Sequence, residues 1–444
     1  MHAPPGRVLA GLTPCVKLSA RPSAACLMME CQMYHLLWVT ATALHDRSSD
    51  ASRQWLGLLR QLRRRHEEQL SVTALCAMIF AGGSGRDCWD GPQVPITAGA
   101  VRHFSEDGIS YHYLPCRSPV SGDFRDGEQR ALFAQYLALV RSFRPDLLLG
   151  SGTGPADLAL RCDAVMRGIP AVGCLDGGDA DLYAFAPCTA LLAPSQAASE
   201  RCRARAGLNA AAVGICPEPA APAAAAAARE YITLLSPEPQ RGLALLVRLA
   251  LMAQTRLPQA RFLVVDRAPG LAAQLTRLHL PGSGGGSQPP LRPDQLGNVV
   301  LCPPGMPRPE VYARTRVLLC PSLRFDGLAM AAAEASLQRI PCLASRLGAL
   351  PETGAICLDP PPSCLDDPLL LPDEQELQPW FAQLQLLLQD TRPRGTADGS
   401  RRAQECAQRA WEVLEPLLEL KAGDGPQLFR AGSVPISGPG SAIG

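Results

Sequence analysis

Residues 311–352 read VYARTRVLLCPSLRFDGLAMAAAEASLQRIPCLASRLGALPE, and this stretch decides the fold. An apolar strand, Val317 to Leu319, runs into Cys320-Pro321-Ser322, then into a loop carrying Asp326-Gly327, then into an Ala-rich helix that contains Glu334. A loop between the carboxyl end of a parallel strand and the amino end of a helix is where α/β proteins hold ligands. The backbone N–H groups of Gly327 and Leu328 are expected to point at an anion there. Asp326 and Glu334 are eight residues apart, a little over two helical turns, which puts Asp326 at the helix mouth and Glu334 deeper on a related face. Two acceptors of that kind suit a polyhydroxylated ligand. For either acid alone, a capped helix is an adequate explanation.

The chain immediately upstream repeats the same architecture. A strand at Tyr231 to Leu235 leads through Ser236-Pro237-Glu238-Pro239-Gln240-Arg241-Gly242 into an amphipathic helix from Leu243 to Thr255. Arg241 sits just before that helix, so a phosphate would meet a cation and the positive end of a helix dipole together. Strands follow at Arg261 to Val265, Asn298 to Cys302 and Ile356 to Leu358, with helices at Pro307 to Arg314, Glu374 to Leu388 and Ala403 to Leu418. Residues 281–294, PGSGGGSQPPLRPD, read as a flexible insertion, and the sharpest composition shift, PEPAAPAAAAAARE at 217–230, reads as an interdomain linker.

Before the linker, strands again alternate with helices of ten to fifteen residues, the pattern of βαβ units and a parallel sheet. HLLWVTA at 35–41 reads as a buried first strand, Ser52 to Glu68 as a helix, and Leu70 to Phe80 as a second strand. The loop between the first strand and helix, TALHDRSSDAS, contains no glycine. Its His45 and Asp46 are either ligand contacts or, the plainer reading, members of a solvated polar loop. Residues 81–127 read as Gly- and Pro-rich turns around one short strand, Ile109 to Leu114. Gly82-Gly83-Ser84-Gly85 has no helix directly after it and reads as a turn. The segment LDGGDADLY, with Asp176, Asp179 and Asp181, reads as a turn supported by Asp side chains, an acceptor or cation site being the alternative.

At 444 residues the chain is long enough for two or three domains. Its 42 Lys and Arg balance 41 Asp and Glu to a net charge of +1, and no basic stripe points to nucleic acid. Each apolar run is interrupted by Arg, Pro or Gly before it reaches membrane-spanning length, so no transmembrane segment is expected. The 17 cysteines are scattered singly, with no C-x-x-C pair and no His at metal spacing. That distribution points to reduced thiols in a cytoplasmic setting and to no metal. Residues 1–29, basic and without an acid until Glu30, leave open an organelle (plastid or mitochondrial) transit segment beside a disordered tail.

The string from Pro321 to Glu352 resembles the donor-site signature of retaining GT-B glycosyltransferases, the glycosyltransferase family 4-like group. In that family an acid, Gly, a short apolar run and Glu follow a Pro-Ser after a strand. The resemblance continues through Ile340-Pro341, Ala344-Ser345 and Gly348, and earlier through Arg144-Pro145-Asp146, Gly168-Ile169-Pro170 and Pro194-Ser195. The Pro237-Glu238 to Arg241-Gly242 passage is similar to the family's Pro-Glu-x-Lys-Gly, with Arg in place of Lys. The chain departs from the pattern in four places: Asp326 replaces the usual Glu, the loop after the first strand lacks its Gly-Gly pair, no His follows Leu175, and no second basic residue lies near Leu234.

The resemblance implies an α/β, GT-B fold, two Rossmann-like domains with parallel sheets facing across a cleft. It implies a tail or targeting segment at 1–33, an acceptor domain at 34–216, a donor domain at 231–400, a helix at 401–421 returning to the first domain, and a disordered tail at 422–444. The implied activity is transfer of a hexose from a nucleotide sugar, with retention of configuration, to an unknown acceptor (glycan, lipid or small molecule). No cofactor or metal is implied. Arg241 and Asp326 would be catalytic, Arg241 at the leaving diphosphate and Asp326 at the donor sugar. Gly327, Leu328 and Glu334 would complete the donor site, Glu334 on the ribose. A catalytically impaired GT-B protein that only binds, a nucleotide-sugar epimerase and a two-domain solute-binding module are the alternatives.

Overall fold

The structure is a computed structural model that describes residues 33–81, 85–92, 101–117, 124–178, 181–217, 229–265, 270–280, 291–302, 306–390 and 399–419. The expectations for residues 1–32, for Gly82-Gly83-Ser84, for Asp179, for the linker at 218–228, for the insertion at 281–290 and for the tail from 422 lie outside these residues.

The first unit runs β1 (Tyr34–Thr40), α1 (Asp50–Arg65), β2 (Leu70–Ala77), β3 (Arg102–Glu106), β4 (Ile109–Leu114), α2 (Asp126–Ser142), β5 (Leu147–Gly150), α3 (Pro155–Met166), β6 (Ala171–Cys174), β7 (Ala190–Ala193), α4 (Gln196–Ala206) and β8 (Ala211–Ala212). Its eight strands lie in the order β3-β4-β2-β1-β5-β6-β7-β8. All neighbours are parallel except β3 and β4, which form an antiparallel hairpin at one edge. The sheet is therefore not wholly parallel, and the reading of a single strand in this region is corrected. Asp107 and Gly108 both take positive φ (51° and 74°), as a two-residue hairpin turn requires. The central strands are mostly apolar and mostly buried because helices cover both faces.

The second unit runs β9 (Tyr231–Leu234), α5 (Leu243–Arg256), β10 (Arg261–Val265), α6 (Leu271–Leu275), β11 (Val299–Cys302), α7 (Arg308–Arg314), β12 (Thr315–Cys320), α8 (Met330–Leu337), β13 (Cys342–Ser345), β14 (Ile356–Leu358), α9 (Pro362–Asp366) and α10 (Glu374–Gln389). Its six strands are all parallel, in the order β11-β10-β9-β12-β13-β14. Helix α5 is apolar nearly all round rather than amphipathic. Leu243, Leu245, Leu246, Leu249 and Met252 are all buried between this sheet and α10, whose Trp380, Phe381 and Leu384 join the same core. Each such leucine removed from water contributes roughly 1.5–3 kcal/mol.

The last helix, α11 (Gly399–Glu419), crosses back and packs on the first unit. Ala403, Cys406, Ala407, Ala410, Trp411, Leu414 and Leu418, spaced three and four apart, enter the first unit's core beside Trp55, Leu59 and Leu62 of α1. Among the described residues no helix is long and apolar enough to cross a membrane.

Candidate functional site

The carboxyl ends of both sheets face a common seam, and Arg241, Asp326, Gly327, Leu328 and Glu334 lie along it. Past β12 the chain turns through Pro321 and Ser322 to Asp326, whose two carboxylate oxygens do different work. Oδ1 accepts the backbone N–H groups of Leu328 (3.2 Å) and Ala329 (2.8 Å), and Oδ2 accepts Arg241 Nη1 at 2.9 Å. Ala329 is held at φ 48°, a left-handed conformation uncommon for a residue with a side chain, directly before α8. Arg241 ends a single turn of 3-10 helix, Pro239–Arg241. Gly242 follows at φ 83°, against the Pro321 carbonyl, where a Cβ would collide. That close approach sets the Arg241 loop on the Asp326 loop.

Glu334, one turn into α8, belongs to a second cluster. Its carboxylate accepts Arg53 Nη1 from α1, Arg308 Nη1 (2.8 Å) and the Tyr312 hydroxyl (2.7 Å), both from α7. The same two arginines turn their Nη2 atoms onto Oδ1 of Asp50, Arg308 at 3.0 Å. Burial by itself would raise the Glu334 pKa; the guanidiniums of Arg53 and Arg308 and the Tyr312 hydroxyl outweigh it and hold the group below its ordinary value. Asp50 follows the same logic. Burial pushes its pKa up, but Arg308, Arg53 and, more weakly, Arg241 drive it far below the usual carboxylate range. The Arg241 pair and the Glu334 cluster therefore share one electrostatic neighbourhood.

The seam is closed by contacts between the units. The Gly327 N–H donates to the Gly177 carbonyl (2.9 Å), and Ser195 Oγ donates to the Gly327 carbonyl (2.5 Å). Glu352 accepts the N–H groups of Gln196 (3.0 Å) and Ala197 (2.8 Å) at the start of α4, and the Arg201 guanidinium lies 4.2 Å from the centre of the Phe325 ring. The amides of Gly327 and Leu328, expected to face an anion, are thus engaged within the protein, one across the seam and one by Asp326.

Two first-domain expectations are corrected. His45 and Asp46 belong to no solvated loop: they are 2% and 1% exposed. The His45 ring is bonded to the Tyr113 hydroxyl (2.6 Å) and Glu106 (3.1 Å) among Trp89, Phe104 and Tyr111, and burial lowers its pKa. Asp46 accepts the Ser48 and Ala81 N–H groups at 2.8 and 2.7 Å, so it braces the turn. In LDGGDADLY, Asp176 accepts Gly178 N–H and Asp181 accepts Tyr183 N–H, each two residues on. Beside β1, Asp157 accepts the N–H groups of Ala41 (2.9 Å) and Gly154 (3.3 Å), tying two loops together, and burial raises its pKa to about 6. Among the described residues no group of three or more His, Cys, Asp or Glu is placed to hold a metal ion.

Sequence reading missed Asp50, Arg53, Arg308 and Tyr312. A local signal existed, since Asp50 and Arg53 lie three apart in the first turn of α1 and Arg308 and Tyr312 four apart in α7. Nothing local says that the two pairs meet.

No protein-family model matches the chain, and no curated protein matches it by sequence. Solved structures do match. Anabaena Alr3699/HepE, in complex with UDP-glucose, superposes with a TM-score of 0.53 at 15% identity over 87% of this chain and 99% of that one. A glycosyltransferase from Rickettsia africae gives 0.52 at 11% over 88% and 100%, and α,α-trehalose 6-phosphate synthase from Burkholderia multivorans 0.50 at 14% over 88% and 99%. Each likeness runs across both sheets and the seam between them. At such identities it is a likeness of architecture, and the architecture is that of the GT-B fold.

Proposed function

We propose that this chain is a glycosyltransferase that moves a hexose from a nucleotide sugar to an acceptor, with retention of configuration and without a metal. The observation that carries the reading is the Arg241–Asp326 pair, 2.9 Å apart, on two strand-to-helix loops of the second unit that face the first unit across the seam. Negative charge grows on the leaving diphosphate as the glycosidic bond breaks. A fixed guanidinium beside a helix N-terminus lowers the energy of that state more than that of the intact donor. Asp326 presents an acceptor for sugar hydroxyls, and Glu334 one for the ribose. The UDP-glucose complex of the Anabaena neighbour supports a nucleoside-diphosphate hexose as the donor class. Incubating the purified chain with a panel of UDP-, GDP- and ADP-hexoses and following sugar release or transfer by mass tests the reading. Absence of turnover with every donor would overturn it.

A second reading has its own support: a GT-B protein that binds a nucleotide or partner without transfer. The acceptor atoms of Glu334 and the Gly327 amide already have partners inside the protein. Saturable nucleotide binding with no turnover in the same assays would favour it.

A further inference from the structure

We propose that Arg53 and Arg308 are diphosphate-binding residues of the donor site, and that the Asp50 carboxylate is a built-in competitor that occupies them when no donor is bound. This rests on the nucleotide-sugar reading and assigns further residues to the same site.

The two guanidiniums come from different units, Arg53 from the first turn of α1 and Arg308 from the first residue of α7. Their Nη2 atoms converge on one oxygen, Oδ1 of Asp50, while their Nη1 atoms take the two separate oxygens of Glu334. Each fork is thus divided between two carboxylates, and a planar guanidinium freed from one of them presents the paired N–H donors that match the oxygens of a phosphate. Asp50 is the first residue of a sixteen-residue helix, so the anion they hold also sits at the positive end of a helix dipole. Arg241 adds its field at the same carboxylate.

The charges balance: Arg53, Arg241 and Arg308 face Asp50, Glu334 and Asp326. Arg53 and Arg308 each have both Nη atoms on these acids, so a diphosphate gains those donors only by displacing a carboxylate from them. The Asp50 side chain is 32% exposed and that of Glu334 15%, so Asp50 is the one with solvent to turn into. Arg53 Nε, buried and without a hydrogen-bond partner, is a donor the resting arrangement leaves unused. A diphosphate carries more charge and more acceptor oxygens than one carboxylate, which favours the exchange.

Titration calorimetry of the full chain with inorganic pyrophosphate, UDP, GDP and ADP tests the inference on Asp50→Asn and Arg53→Gln, each checked for a cooperative melt. Asp50→Asn removes the competitor and should tighten pyrophosphate and the preferred nucleoside diphosphate at least fivefold. Arg53→Gln should weaken both at least fivefold. The opposite signs separate the inference from a general loss of structure, which would weaken both variants. If nucleotides bind and Asp50→Asn leaves their affinity unchanged or weaker, the inference is overturned while the donor reading stands. If pyrophosphate responds as expected and no nucleoside diphosphate binds more tightly than pyrophosphate, the anion site is upheld and the nucleotide-sugar reading falls.

Discussion

Arg241 donates one N–H to Asp326, and a guanidinium carries five, so it can take up phosphate oxygens without leaving its carboxylate. The pair is only partly buried, with side chains 31% and 20% exposed, and such pairs contribute about 0–1 kcal/mol to folding. Its removal should therefore be felt in chemistry rather than in stability. Arg241→Ala is expected to lower kcat by roughly 10²–10³, the usual scale for deleting one donor to developing charge. The melting temperature should barely move, and Arg241→Lys should recover part of the loss. Steady-state kinetics beside a thermal melt check both halves; a kcat within threefold of the wild type would remove Arg241 from the mechanism. That Arg241 and Asp326, 85 residues apart, each sit near the start of a helix after an apolar strand was legible; that they bond to each other was not. Neither was the Arg53–Glu334 pair, 281 residues apart. Arg53 reads as one more charge on an Arg-rich helix, and only the docking of one unit on the other selects it.

Among the elements, the parallel strands announce themselves by continuous apolar runs, because a sheet covered on both faces leaves no polar side to alternate with. The β3–β4 hairpin lacks that signature: RHFSE is polar at all but Phe104 and exposed at every second position, as an edge strand with one wet face should be. Its Asp107-Gly108 turn was the available signal, and it was lost among the many glycines of residues 81–127. His45 was misread for a related reason. The side chains that bury it come from β3, β4 and the Trp89 turn, and none is near it in sequence. Helix α11 shows the opposite case, a strict three-four apolar stripe that needs a partner surface and finds it on α1. Its Leu414 is fully buried, and Trp411 stacks on His66 with ring centres 3.8 Å apart. Leu414→Ala should cost about 2–5 kcal/mol, the range for emptying a buried leucine site. Chemical denaturation measures it, and a loss below 1 kcal/mol would mean that α11 contributes little to the first unit's core.

At the scale of the whole molecule, some of the contacts that join the two units run through ionised acids, and those are sensitive to pH in a definite direction. Glu334 is held below its ordinary value of 4.5, and Asp50 below its ordinary 3.8, by guanidiniums that outweigh the effect of burial. A carboxylate with a depressed folded-state pKa binds fewer protons in the folded state than in the unfolded one. Its contribution is complete above the ordinary value and is lost as pH falls from there toward the folded value. At neutral pH, Glu334→Gln should be less stable than the wild type, since it leaves Arg53 and Arg308 to share the single carboxylate of Asp50. As pH falls from about 5 to 3 the wild type loses what Glu334 contributes while the Gln variant has nothing there to lose, so the gap between their melting temperatures should narrow. Small-angle scattering over the same range should show the wild type expanding as the seam contacts of Arg53 and Arg308 weaken. A melting-temperature gap that stays constant from pH 7 to pH 3 would mean that the ionised form of Glu334 does not help hold the two units together.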